Sequence, residues 1–274
     1  MLFINVMQKY SGTGGISFMR TISKAYSNKS TIIESQVNHF SRLQEQWWDE
    51  AGAMKPLHSM NKLRVPFVQD GLVNSGLVHR DVILKQTPKP FANIKILDAG
   101  CGGGILAEAL MKSGASVTGI DPAKDLIEIA KTHNVPRNIN YWPVTIEEFS
   151  KENKNKFDAV ITSQVVEHIC ELEVFLESCI RCLKPGGSLF VTTINQTLLA
   201  WLHNIVLAER VFRQIPLGTH QYRNLVPYQR LRTILENNKC RIGTVRGMVY
   251  NYLNNDWYWI KTTAIHYAVH AIKD

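Results

Sequence analysis

From about residue 94 to residue 194 the chain alternates two patterns. Short, β-branched apolar runs, "IKILDAG", "ASVTGID", "INYWPV", "FDAVITSQ" and "GSLFVTT", are separated by segments such as "AKDLIEIAKTH", "IEEFSKE" and "ELEVFLESCIRCL". The apolar positions of those segments recur every three or four residues, which is the helical period. Strands that alternate with single helices predict crossover units and a parallel sheet covered on both faces. Ahead of them, "ESQVNHFSRLQEQWWDEAG" places Val37, Phe40, Leu43, Trp47 and Trp48 at helical spacing, and a second helical pattern runs from about Met60 to Val78. Past the fifth strand, residues 197–220 predict an inserted helical segment, and an aromatic, alternating stretch closes the chain.

Composition narrows the class. With 274 residues and 45% hydrophobic content, the chain has the size of one sizeable domain. No stretch is long and apolar enough to span a bilayer. The five cysteines, Cys101, Cys170, Cys179, Cys182 and Cys240, are odd in number and scattered, as reduced thiols are. Cys179 and Cys182 form a C-x-x-C pair with no second pair to complete a zinc site, and their helical setting suits buried thiols. Of the net charge of +8, half comes from Lys9, Arg20, Lys24 and Lys29 within residues 1–33, which hold no acid. The remainder is only mildly basic, so no nucleic-acid partner is expected. The basic, acid-free, Ser/Thr/Gly-rich opening has the composition of a mitochondrial transit peptide over residues 1–33, leaving 34–274 as the folded domain.

The candidate chemistry lies in "LDAGCGGGILAEAL", a glycine-rich turn between the first strand and its helix. Such a turn lets the backbone approach a ligand at the carboxyl end of a parallel sheet, where the helix offers free N–H groups. A dinucleotide fingerprint starting at Gly100 needs glycine at 105, where this chain has Ile105. What stands there is D-x-G-x-G-x-G, formed by Asp98, Gly100, Gly102 and Gly104. A carboxylate at that strand end can hold an amino group and would repel a pyrophosphate. Asp121 closes the next strand and suits the two hydroxyls of a ribose.

With these residues in place the chain resembles the class I methyltransferases that use S-adenosylmethionine. Within them it is similar to the ubiquinone-biosynthesis O-methyltransferases, the polyprenyl-dihydroxybenzoate methyltransferase family. "QWWDEAGAMKPLHSMNKLR", "LDAGCGGGILAEAL", "GASVTGID", "VVEH", "LKPGG" and "PLGTH" carry the resemblance, from about Gln36 to the C-terminus. It implies a doubly wound, mostly parallel, seven-stranded α/β sheet with N-terminal helices and an inserted helical lid. It also implies cofactor contacts at Arg64, Gly100, Asp121 and Ser163, to which the reading of the loop itself adds Asp98 and Gly102.

The same resemblance implies Mg²⁺ at a Glu-x-x-Glu-His stretch after the fourth strand. Here it reads "QVVEH", so that Gln164 stands for the first Glu while Glu167 and His168 match. Methyl transfer to one hydroxyl of a catechol-type, polyprenylated substrate is implied, with His168 as ligand or proton acceptor and Glu167 beside it. Residues 197–220 carry Leu198, Leu199, Trp201 and Leu202 among arginines, a mix that suits a core helix as well as the surface of a membrane, and the resemblance favours the membrane. The expected location is the matrix side of the mitochondrial inner membrane, peripherally bound, with a multi-enzyme complex as a further partner. A catalytically weak structural member of such a complex and an NAD-dependent oxidoreductase are the competing readings.

Overall fold

A computed structural model of the chain describes residues 47–134, 138–204, 206 and 222–274. The expected targeting segment, most of the first helical pattern, and residues 205 and 207–220 of the expected inserted segment lie outside the described residues.

The alternating runs become an eight-stranded sheet in the order β3-β2-β1-β4-β5-β8-β6-β7. Its strands are β1 (Lys95–Ala99), β2 (Ser116–Ile120), β3 (Asn140–Trp142), β4 (Phe157–Ser163), β5 (Leu183–Ile194), β6 (Cys240–Asn251), β7 (Asp256–Ile260) and β8 (His266–Lys273). The first five are mutually parallel, and β8, β6 and β7 add on antiparallel. The expected count of seven strands is corrected to eight. The extra one is β7, which the turn at 252–255 folds back on β6 so that Tyr250 lies opposite Trp257.

Among the described residues the main helices are α1 (Lys55–Asn74), α2 (Arg80–Leu84), α3 (Ile105–Lys112), α4 (Lys124–His133), α5 (Ile146–Glu152), α6 (Leu172–Cys182) and α7 (Tyr228–Asn237), with one short turn of helix at Leu198–Ala200. On one face of the sheet, Met60, Phe67 and Leu72 of α1, Leu106 and Leu110 of α3 and Ile127 of α4 pack on Ile96, Ile161 and Phe190. On the other, α5, α6 and α7 cover Leu97, Val160, Leu189 and Tyr267. The alternation along each strand therefore sorts its residues: Asp98 shares the face of Ile96, and Ser163 that of Ile161.

Helix α1 begins where the sequence puts Pro56, in the first turn, where its missing N–H costs nothing. Its buried stripe is Met60, Arg64, Phe67, Val68, Gly71 and Leu72. Gly71 allows the helix to lie directly on the sheet, since a Cβ there would come 2.3 Å from the Phe190 ring. The helix thus carries Arg64 down to the carboxyl end of β4. Cys179 and Cys182 are buried in α6, and burial raises both thiols, as the thiol reading expects.

Candidate active site

The parallel order reverses between β1 and β4, and the loops leaving the carboxyl ends of β1, β2 and β4 converge there. Asp98 is buried at the end of β1. Burial pushes its carboxyl up to about 7, against the pull of Arg64, with Asp121 raising it further and the Ala107 amide lowering it. Its Oδ2 has no hydrogen-bond partner. Arg64, equally buried, donates from Nη1 to Ser163 Oγ at 3.0 Å and from Nη2 to Leu57 O at 2.7 Å and Asn61 Oδ1 at 2.6 Å. Its Nε is without a partner. Burial lowers the guanidinium to about 10 and Asp98 opposes that shift, so it remains a cation at neutral pH. Ser163 is held in turn by Thr192 of β5, Oγ to Oγ1 2.7 Å.

Asp121 follows β2 and takes two amides: Gly102 N–H at 3.0 Å and Ala123 N–H at 2.9 Å. Enclosure raises its carboxyl to about 6 against the pull of those two bonds. The structure therefore gathers Arg64, Asp98, Gly100, Gly102, Asp121 and Ser163 around one switch point.

The glycine loop has a second explanation that the sequence reading missed. Gly100, Gly102 and Gly104 all have positive φ, +82°, +52° and +92°, a region costly for residues with a Cβ. The atoms that a Cβ would strike belong to the protein itself: Val165 at Gly100, Trp47 at Gly102 and Gly103, and the Tyr141 hydroxyl at Gly104. Trp48 adds an indole N–H bond to Gly103 O at 3.0 Å and stacks on His133 with ring centroids 3.4 Å apart. His133 Nδ1 in turn reaches the buried Glu108 carboxylate at 2.7 Å. The double tryptophan was visible in the sequence, but its helical reading hid this role.

The fragment "QVVEH" leaves the carboxyl end of β4. Gln164 adopts φ +57° with its N–H bonded to Thr192 O at 2.8 Å, and its side-chain Nε2 is buried without a partner. Glu167 is buried and accepts the Thr193 hydroxyl at 2.7 Å, while His168 is half-buried on the short 3₁₀ turn Val166–His168. Among the described residues no group of three or more His, Cys, Asp or Glu side chains is placed to hold a metal ion.

At the rim, Leu198, Leu199, Trp201 and Leu202 are all exposed, Leu198 by 74%. His203 and Asn204 anchor this segment: His203 bonds Tyr250 O at 2.9 Å and Tyr252 Oη at 2.9 Å, and Asn204 bonds the buried His266 at 2.8 Å. Of the aromatics in the closing stretch, Tyr250 and Trp257 are buried in the core with centroids 5.2 Å apart. Trp259 packs against Phe67.

Comparison with known proteins gives the family. A family model described as a methyltransferase domain matches residues 77–242. A mitochondrial ubiquinone biosynthesis O-methyltransferase of Rattus norvegicus is 44% identical over 255 residues, covering 91% of this chain and 72% of the relative. The chain belongs to the ubiquinone biosynthesis O-methyltransferase family. The corresponding protein of Homo sapiens is 43% identical over 94% of this chain and 70% of its own. That of Pelagibacter ubique is 34% identical over 89% of this chain and its whole length. Among solved structures, a SAM-dependent methyltransferase from Archaeoglobus fulgidus superposes with TM-score 0.52 at 19% identity, covering 73% of this chain and 94% of that one. The magnesium protoporphyrin IX methyltransferase of Synechocystis PCC 6803, solved with bound SAH, gives TM-score 0.50 at 17% identity, covering 76% and 84%. Both likenesses concern the fold. This O-methyltransferase thus carries its buried acid, its buried arginine and its glycine loop on the doubly wound sheet of such enzymes.

Proposed function

We propose that the protein transfers a methyl group from S-adenosylmethionine to one of two adjacent hydroxyls on a polyprenylated benzoate or quinol in ubiquinone biosynthesis. The observation that carries this reading is the pair of orphaned atoms at the switch point, Asp98 Oδ2 and Arg64 Nε. A buried acceptor beside a buried cation, each short of one partner, suits the ammonium and carboxylate of an amino-acid tail. Asp121 suits the ribose hydroxyls, and the pyrophosphate of a dinucleotide finds an acid where it needs donors.

The cofactor supplies a methyl group already activated on a sulfonium, so the protein's task is alignment and proton removal. Arg64, fixed by Ser163, Leu57 and Asn61, and Asp98, fixed in the sheet, hold the tail rigidly while the glycine loop supports the nucleoside. His168, on the loop past β4, is the proton acceptor for the attacking phenol. Gln164, Glu167 and the substrate's own oxygens would hold Mg²⁺, with His168 then a ligand instead; the ion would lower the phenol's proton affinity as a Lewis acid. The Thr193 hydroxyl bonded to Glu167 would hold a ligating carboxylate in place.

The exposed apolar segment from Leu198 to Leu202 suits contact with lipid, where a polyprenyl tail resides. Among the described residues no helix is long and apolar enough to cross a membrane. The location proposed is peripheral, on the matrix side of the mitochondrial inner membrane, after import directed by residues 1–33, in keeping with the mitochondrial relatives. Membership in a biosynthetic complex fits the same location. The deciding experiment incubates purified protein with labelled S-adenosylmethionine and a prenylated dihydroxybenzoate. Label in the phenolic ether supports the reading, and tight cofactor binding without transfer would favour a structural member of a complex.

A further inference from the structure

The indole of Trp47 packs against Gly102 and Gly103 of the glycine loop. A Cβ on Gly102 would come 2.4 Å from its Cζ2, and one on Gly103 would come 2.3 Å from Cδ1 and 2.6 Å from Nε1. Gly103 has no positive φ, so it is this indole, and not backbone conformation, that excludes a side chain there. The ring is fixed from several sides. It packs with Met54, Ile105, Ala123 and Leu126, with Leu57 beside them, and its backbone carbonyl accepts from His58 Nε2 at 2.9 Å. Leu57 also accepts from Arg64 Nη2, so Trp47 and Arg64 meet the same turn of α1.

Although Trp47 is only 5% exposed, its Nε1–H has no hydrogen-bond partner. The neighbouring Trp48 spends its own N–H on Gly103 O. A buried N–H left unpaired costs about 1–3 kcal/mol, and nothing in the packing of Trp47 recovers it. Three residues of this region thus each keep one buried, unpartnered polar atom: the Trp47 N–H, the Arg64 Nε–H and the Asp98 Oδ2, with Trp47 against the glycine loop and Arg64 coupled to Asp98. Two donors and one acidic acceptor match a carboxylate with its neighbouring ammonium.

We propose that Trp47 is a cofactor-contacting residue whose indole N–H donates to the carboxylate of the amino-acid tail of bound S-adenosylmethionine. The inference rests on the reading of the loop as the cofactor site, and its test keeps the two apart. Binding of S-adenosylhomocysteine and of 5′-methylthioadenosine, which lacks the amino-acid tail, is measured calorimetrically on wild type and on Trp47→Phe, which keeps an aromatic ring without the donor. The expected result is an S-adenosylhomocysteine Kd about tenfold weaker in the variant, as for loss of a bond to a charged group. The 5′-methylthioadenosine Kd should move less than twofold. Gly103→Ala, whose new methyl displaces the indole while adding no charge, should discriminate between the two ligands in the same way.

An S-adenosylhomocysteine affinity unchanged in Trp47→Phe, or equal losses for both ligands, would overturn the assignment while leaving the cofactor site standing. Failure of wild type to bind S-adenosylhomocysteine would remove both. If either variant loses its fold by circular dichroism, the other carries the comparison. If both do, ¹⁵N-labelled indole resonances of wild type decide it: an N–H signal must shift with S-adenosylhomocysteine and stay in place with 5′-methylthioadenosine.

Discussion

If Asp98 holds the cofactor's ammonium, its protonation and cofactor binding compete for one carboxyl, and the size of the competition follows from the structure. Burial places the group at about 7, so at pH 5 only about one molecule in a hundred has it ionised. The affinity for S-adenosylhomocysteine should then fall roughly a hundredfold between pH 8 and pH 5, about 2.7 kcal/mol at 1.36 kcal/mol per unit. Asp121, at about 6, steepens the fall below pH 6 by up to a further factor of about ten. The unliganded fold should respond in the opposite sense. A carboxyl whose folded pKa is raised binds more protons folded than unfolded between about pH 4 and 7, so this group's contribution to stability declines as pH rises through that window. Mild acid should therefore weaken the complex while relieving the fold of a buried charge, a combination that simple acid unfolding does not produce. Calorimetric titration of S-adenosylhomocysteine from pH 5 to 8, with melting curves of the unliganded protein alongside, measures both. Asp98→Asn should bind more weakly at pH 8, by about 1.5–3 kcal/mol for loss of a charge-assisted bond, and should lose the steep part of the profile above pH 6. A flat wild-type profile, or the same slope in Asp98→Asn, would refute the assignment of the ammonium to Asp98.

Asp121→Ala removes the acceptor for the Gly102 and Ala123 amides, so cofactor affinity should drop by about 1–3 kcal/mol and the melting temperature should fall with it; unchanged affinity in calorimetry takes Asp121 out of the site. Replacing exposed Leu198, Leu199 and Trp201 together by serine should reduce sedimentation with anionic vesicles at least tenfold, each large side chain contributing about 1.5–3 kcal/mol when fully buried in lipid. The affinity for S-adenosylhomocysteine should stay within twofold, and vesicle binding equal to wild type would dismiss the lipid contact. If Mg²⁺ acts at Gln164 and Glu167, Gln164→Glu should lower the metal concentration for half-maximal rate, because a charged oxygen replaces an amide. Full turnover in excess chelator would leave His168 as the phenol's proton acceptor.

The parallel half of the sheet was legible because its strands are buried on both faces and separated by single amphipathic helices, the most redundant pattern a chain offers. The antiparallel edge was less so. Its residues read as one aromatic stretch, and the fold-back at 252–255 that creates β7 depends on Asn251 and Asn254 side chains bonding local amides, which no hydrophobic period records. The acids were found for the reason they matter: Asp98 and Asp121 end consecutive strands, where a carboxylate has few structural excuses.

Arg64 shows what the period itself could have revealed. It occupies the same stripe of α1 as Met60, Phe67, Val68 and Leu72, so the helical spacing alone predicts a cation in the core. A cation in such a stripe must find acceptors there or take in a ligand that brings them. Arg64 does both: Ser163, Leu57 and Asn61 satisfy Nη1 and Nη2, and Nε is left over. Trp47 was hidden by the opposite effect, since apolar residues at helical spacing are read as packing. Its single polar atom becomes informative only when the structure shows that atom buried and unanswered. The two residues together make the signal general: at a switch point, the positions worth examining are those where burial and hydrogen-bonding capacity disagree, because a ligand is what restores the agreement.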